Sequence, residues 1–205
     1  ENGNVTVENE CLNLELGAVA RAAKACGGKV IIEVERVAKG GSLNPKLVKV
    51  GRNLVDYIVV GNYPGQIGRA LTNDGDRDDN FWMGLNGQLK VPVDAIEVMP
   101  FDPKKIIIRR AVMEIERGMM CNFGIGVPTF CGGVLAEEGE MDSITMISES
   151  GSVGGVPGGG PLFGCHFNNE CSTDQKDHFD WFDGTGLDFG VFCLSEAQED
   201  GSINV

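Results

Sequence analysis

Glu149 is the residue of this chain whose setting best suits covalent chemistry. It stands in Ser148-Glu149-Ser150-Gly151-Ser152-Val153-Gly154-Gly155-Val156-Pro157-Gly158-Gly159-Gly160, and seven of the eleven residues after it are glycine or proline. That density rules out a regular element. Just before it, Ser143-Ile144-Thr145-Met146 is rich in β-branched residues and predicts a buried strand. A strand fixes a side chain, and glycines let a ligand or an N–H donor approach with no Cβ in the way. A Glu beside a glycine loop is most often a solvated turn residue; the alternative is a carboxylate that attacks a substrate. Phosphate-loop readings fail, because no Lys-Ser or Lys-Thr follows the glycines and no Gly-x-Gly-x-x-Gly opens a helix here.

A second glycine turn, Gly124-Ile125-Gly126-Val127-Pro128, follows a predicted strand over 119–123. Pro128 is placed to start a helix running through Leu135. Strand, glycine turn and helix together aim N–H groups at an anion, although tight βα packing also selects glycine. Lys104, Lys105, Arg109 and Arg110 cluster on a helix announced by Asp102-Pro103. Such a face is ordinarily solvated, and attraction of phosphates is the alternative. Cys165-His166 and the stretch from Cys171 to His178 invite a zinc reading. Adjacent Cys and His rarely point at one ion, thiol-pair spacing is absent, and no second cluster exists, so no metal is expected.

Ser148-Glu149-Ser150-Gly151 followed by Gly154-Gly155-Val156-Pro157 resembles the active-site segment of family I CoA-transferases, in particular the propionate/acetate branch. Val34-Glu35-Arg36-Val37, Leu43-Asn44-Pro45, Gly124-Ile125-Gly126-Val127-Pro128 and Asp183-Gly184-Thr185-Gly186-Leu187-Asp188 are similar to family segments as well. The chain departs at Gly51-Arg52-Asn53, where relatives carry a proline after the valine. The resemblance implies that Glu149 is the covalent nucleophile of acyl-CoA:carboxylate CoA transfer. It also implies that Gly124, Gly126, Val127, Gly154 and Gly155 border the thioester or supply oxyanion donors. CoA would be a substrate, with small carboxylates as the other partners, no resident cofactor, and a homo-oligomeric assembly.

The expected fold is α/β, with mainly parallel open sheets, flanking helices and two related CoA-transferase-type domains, each partly present. Residues 1–60 would close the first domain, 61–98 would form a linker or excursion, and 99–205 would open the second with Glu149. As such the chain would be a middle piece of a longer polypeptide. A helix is expected over 12–26, a strand over 30–37 buried on both faces near its start, and a strand over 55–60. Ile108, Ala111, Val112 and Ile115 make the inward stripe of the helix that begins at Pro103 and that Gly118 would end. Residues 61–88 lack periodicity, with Phe81-Trp82-Met83 as a local apolar anchor. Residues 179–184 read as a turn, and 189–194 as a buried strand. Glu1-Asn2-Gly3-Asn4-Val5 and Glu199-Asp200-Gly201-Ser202-Ile203-Asn204-Val205 share a turn-then-strand grammar.

The balance of 30 acidic against 17 basic residues gives a net charge of −13, which argues against nucleic acid or an anionic membrane as partner. No apolar run approaches the roughly 20 residues that span a bilayer. Seven cysteines without framework spacing suggest free thiols in a reducing cytoplasm.

Overall fold

The computed structural model describes residues 2–61, 79–92 and 98–205. In the first stretch Val5–Thr6 (β1) precedes helix Leu16–Ala25 (α1) and strand Ile31–Val34 (β2); Val48–Val50 (β3) and Tyr57–Val60 (β4) follow. β1 pairs antiparallel with β3, and β2 pairs parallel with β4. Val5, Ala20, Val30 and Val50 bury one another between α1 and these strands. Asp56 secures the entry to both parallel strands, accepting from the Val30 N–H at 2.9 Å and pairing with Lys24 and Lys29.

α1 starts four residues later than the pattern suggested. Leu14 takes a positive φ of 45°, and its carbonyl accepts from Gln175 N–H at 3.3 Å, so the chain there is committed to a tertiary contact. β2 is not buried on both faces: Ile31 is 65% exposed and Tyr57 beside it 58%. Only one face of the β2–β4 pair packs on the core, through Ile32 and Val34.

Asp79–Leu85 (α2) is a helix within the stretch read as aperiodic. Trp82 and Leu85 are buried with Cys11 and Cys165, so the Phe81-Trp82-Met83 run is indeed an apolar anchor. Trp82 Nε1 also donates to the Asn9 carbonyl at 2.7 Å. The rest of the proposed linker, 62–78 and 93–97, lies outside the described residues.

Pro103–Val112 (α3) begins where the capping signal placed it, with the Asp102 carboxylate accepting from Lys105 N–H at 2.9 Å. It stops at Val112, short of Gly118, yet the stripe Ile108, Ala111, Val112 and Ile115 packs inward as expected. Met120–Phe123 (β5) leads through a 3₁₀ turn into Cys131–Glu137 (α4). Then come Thr145–Ile147 (β6), Ser152–Val153 (β7), Val156–Pro157 (β8), His166–Phe167 (β9) and Cys171–Ser172 (β10). Gln175–Asp183 (α5), Phe189–Val191 (β11), Glu196–Ala197 (β12) and Ile203–Asn204 (β13) close the chain.

The main sheet has the order β10-β7-β6-β5-β11. Its centre is parallel, β11 and β6 flanking β5, while β7 and β10 add antiparallel strands at one margin. The architecture is therefore α/β with a mixed sheet. Residues 179–183 are helical, and the turn falls only at Gly184, the C-cap of α5. His178, Trp181 and Phe182 fall at i, i+3 and i+4, and their rings meet edge to face or tilted along one helix side. The strand expected over 189–194 ends at Val191, leaving Phe192 64% exposed. The echo between the two chain ends holds at backbone level, since Gly3 and Gly201 have φ of 82° and 87° just before β1 and β13.

Candidate active site

β5 and β6 run parallel with Asn122 opposite Ile147, so both send their following residues to one edge of the sheet. In open α/β sheets this carboxyl edge is where ligands bind. β5 continues into Gly124-Ile125-Gly126, and β6 into Ser148 and Glu149. β11 brings Phe192 and Cys193 to the same edge, where a Cβ on Gly126 would stand 3.8 Å from Cys193 Sγ.

Glu149 sits at the tip of a tight turn between β6 and β7. Gly151 N–H donates to Ser148 O at 3.1 Å, and Ser148 N–H donates to Ser152 O at 2.9 Å. Gly151 has φ of +118°, and a Cβ there would lie 2.1 Å from Thr173 O, so only glycine fits. The Glu149 side chain is half-buried. Its Oε2 accepts from Asn122 Nδ2 at 3.1 Å, and the same amide donates to Ile147 O at 3.0 Å. Asn122 is 4% exposed, so a buried amide on the neighbouring strand ties down one carboxylate oxygen.

The turn is also held from behind. Ser148, Ser150 and Ser152 hydroxyls all donate to the Gly164 carbonyl, at 2.9, 3.1 and 3.1 Å. His178 Nδ1 donates to Ser148 O at 2.9 Å, and His166 Nδ1 donates to Gly154 O at 2.7 Å. A carbonyl only accepts, so both rings carry their proton on Nδ1. Burial lowers both imidazoles below their ordinary range, His166 to about 4, which keeps them neutral near pH 7. These histidines pin the hairpin. Among the described residues no group of three or more His, Cys, Asp or Glu is arranged as a metal site.

The residues expected to surround the nucleophile separate into two sets. Gly124, Gly126 and Val127 share the carboxyl edge with Glu149. Gly154 and Gly155 instead line a cavity of about 320 Å³ with Asp142, Thr145, Asn168 and Glu170, which Glu149 does not line. Two of the expected oxyanion donors are already engaged, Gly124 N–H with Val191 O at 2.9 Å and Gly154 N–H with Met146 O at 2.7 Å. An N–H inside such a sheet-edge hydrogen bond is directed at the neighbouring strand. Gly155 has a packing role, since a Cβ there would fall 2.1 Å from Phe167 O. Among the described residues the Gly126 and Val127 N–H groups donate to no backbone acceptor.

Of the α3 cations only Lys105 is buried, while Lys104, Arg109 and Arg110 are exposed. Lys105 is 8% exposed and bonded to Glu137 and Met99 O, Arg109 pairs with Glu138 at 2.8 Å, and Arg110 pairs with Glu114. Lys105 and Arg109 lock α3 to the end of α4, so the cluster is no ready phosphate site.

Sequence reasoning missed Asn122 and the serines. A polar residue in an otherwise apolar strand, two positions before a glycine turn, was the signal for Asn122. For the serines it was their spacing of two, at 148, 150 and 152.

In sequence the whole chain aligns with a segment of CoA-transferases. The caffeate CoA-transferase of Acetobacterium woodii is 39% identical over 205 residues, covering 100% of this chain and 38% of the relative. The acetate CoA-transferase YdiF of Escherichia coli O157:H7 is 29% identical over 209 residues, covering 99% of this chain and 37% of that protein. No protein-family model matches. Among solved structures, the acyl-CoA transferase YdiF apoenzyme of Escherichia coli O157:H7 superposes with a TM-score of 0.82 at 28% identity, over 99% of this chain and 36% of that one. The YdiF thioester complex with CoA gives 0.80 at 27% identity, over 100% and 37%. The chain thus spans little more than a third of the curated relatives it matches. Among the described residues no helix is long and apolar enough to cross a membrane.

Proposed function

We propose that this chain carries the nucleophile of an acyl-CoA:carboxylate CoA-transferase, and that Glu149 is that nucleophile. The observation that supports it is the seating of Glu149, a half-buried carboxylate at the carboxyl edge of a parallel sheet, one oxygen held by Asn122. The other oxygen attacks the thioester carbonyl, the C–S bond breaks, and an acyl-glutamyl anhydride and CoA thiolate result. The thiolate then attacks the glutamyl carbonyl of the anhydride and expels the donor carboxylate, leaving a glutamyl-CoA thioester. An incoming carboxylate reverses these steps. Two displacements replace one difficult exchange, and no external energy is consumed. Gly126 and Val127 N–H groups are the oxyanion donors we assign. Binding energy from the remote CoA moiety lowers the barrier at the carbonyl.

Acetate and propionate are the acceptors suggested by the motif. Resemblance to a caffeate CoA-transferase favours a second reading, in which the acyl group is an arylacrylate. The 205-residue segment alone is inactive in this account, since its relatives are more than twice its length. The deciding experiment incubates the full-length enzyme with acyl-CoA and no acceptor, then maps the adduct by peptide mass spectrometry. A CoA thioester on Glu149 supports the proposal. Acceptor-independent hydrolysis, or an adduct elsewhere, overturns it in favour of a hydrolase or another nucleophile. Acetyl-, propionyl- and caffeoyl-CoA tested in parallel separate the acyl readings.

A further inference from the structure

The two residues that flank Glu149 are bound to a single acceptor. Ser148 and Ser150 are 5% and 7% exposed, and their hydroxyls meet at the Gly164 carbonyl and lie 3.1 Å from each other. Ser152, fully buried, gives that oxygen a third donor. A carbonyl oxygen has two lone pairs, so three hydroxyls exceed what its own satisfaction requires. Gly164 can come this close only as glycine: its φ is +87°, and a Cβ would stand 2.3 Å from Ser150 Oγ and 3.5 Å from Leu12 Cδ1. His178 adds a bond to Ser148 O from α5.

We propose that the Gly164 carbonyl is the anchor that sets the line of attack of Glu149, with Ser148 and Ser150 as positioning residues. The inference rests on Glu149 being the nucleophile. A glutamate has three side-chain torsions, and Asn122 restrains only its carboxylate end. The serine tether restrains the other end, the backbone that carries the Glu149 Cα. With both ends held, one carboxylate oxygen is presented in a narrow range of directions before substrate arrives, which is the condition for near-attack geometry. None of these hydroxyls needs to touch substrate.

A tether that only served folding would alter melting temperature and leave the chemical step alone. The test uses the full-length enzyme with Ser148→Ala and Ser150→Ala, singly and together, changes that remove a hydroxyl and no other atom. The rate of Glu149 thioester formation is followed by quenched mass spectrometry, beside kcat, KM for acyl-CoA and the melting curve. In the double variant we expect adduct formation and kcat to fall together by about 10-fold or more, with KM for acyl-CoA close to the parent value. If the double variant does not fold, Ser150→Ala, assayed well below its melting temperature, gives the same reading with a smaller loss. Adduct formation at the parent rate, or a rise in KM with kcat unchanged, overturns the proposal. Transfer activity in a parent that never labels Glu149 removes the nucleophile itself, a failure distinct from that of the tether.

Discussion

Asn122 Nδ2 bridges Ile147 O and Glu149 Oε2 at 3.0 and 3.1 Å, so one buried amide from β5 fastens both the end of β6 and the carboxylate beyond it. The bond runs between adjacent parallel strands, where the register Asn122 opposite Ile147 fixes its length. Replacing Asn122 by Ala removes a donor to a charged group and leaves Ile147 O short of a partner. A hydrogen bond of this type contributes about 1.5–3 kcal/mol. The expected outcome is a loss of about 10- to 100-fold in kcat/KM for the full-length enzyme, using the same range. Asn122→Asp should lose more at neutral pH, because it sets a second carboxylate against the first. Steady-state kinetics beside a melting curve checks this; an Asp variant as active as the Ala variant contradicts the stated contact.

What the sequence made legible follows from locality. The α3 cap, the Ile108 stripe, the β5–glycine turn–α4 order and the edge position of Glu149 are all written in short-range patterns. Misread elements depend on distant partners. Leu14 leaves the helix for Gln175, and Ile31 is uncovered although its run is as apolar as a doubly buried strand. The α5 aromatics form a helical stripe, and only the Gly184 that caps it lies in a turn. For the site, Glu149 stood out as a carboxylate at a glycine loop, and its proposed role as nucleophile came from the resemblance of the motif around it. Asn122, Gly164 and His178 did not stand out, because their contacts span 27, 12 to 16, and 30 residues of chain.

Asp56 supplies a pH prediction. The Val30 N–H first, then Lys24 and Lys29, hold its carboxyl down to about 2 from 3.8. A carboxyl lowered on folding stabilises the protein above its unfolded value and loses that contribution as pH falls through the folded one. Asp56→Asn should therefore melt below the parent at pH 6. The gap should shrink between about pH 4 and pH 2, as the parent carboxylate takes its proton. A gap that stays constant across that window contradicts the Val30 and lysine contacts.

The thiols separate by burial. Cys26, Cys171 and Cys193 are exposed, whereas Cys11, Cys121, Cys131 and Cys165 are buried. Burial raises Cys121 to about 11 and Cys131 to about 12, which leaves almost no thiolate near pH 8. An aromatic disulfide reagent should modify the three exposed thiols of this chain quickly, and all seven after denaturation. Peptide mapping that finds Cys121 or Cys131 among the fast thiols would contradict the packing of β5 on α4.

The most discriminating substitution is at Glu149 itself. Glu149→Ala should abolish transfer in the full-length enzyme, because no neighbour can form the acyl anhydride in its place. Glu149→Asp keeps the charge and shortens the side chain by one methylene. An electrostatic or surface role tolerates that change, whereas a nucleophile does not. The shorter side chain cannot both reach the thioester carbon and keep its bond to Asn122, which lies on a strand whose position is fixed by the register with β6. A displacement of about 1 Å at the reacting atom costs on the order of 10²-fold in rate. The Asp variant should therefore keep its melting temperature and its affinity for CoA while kcat falls by about that factor. CoA binding is measured by calorimetry and turnover by acyl exchange into labelled acetate. An Asp variant that retains nearly full turnover shows that Glu149 does not form the covalent bond.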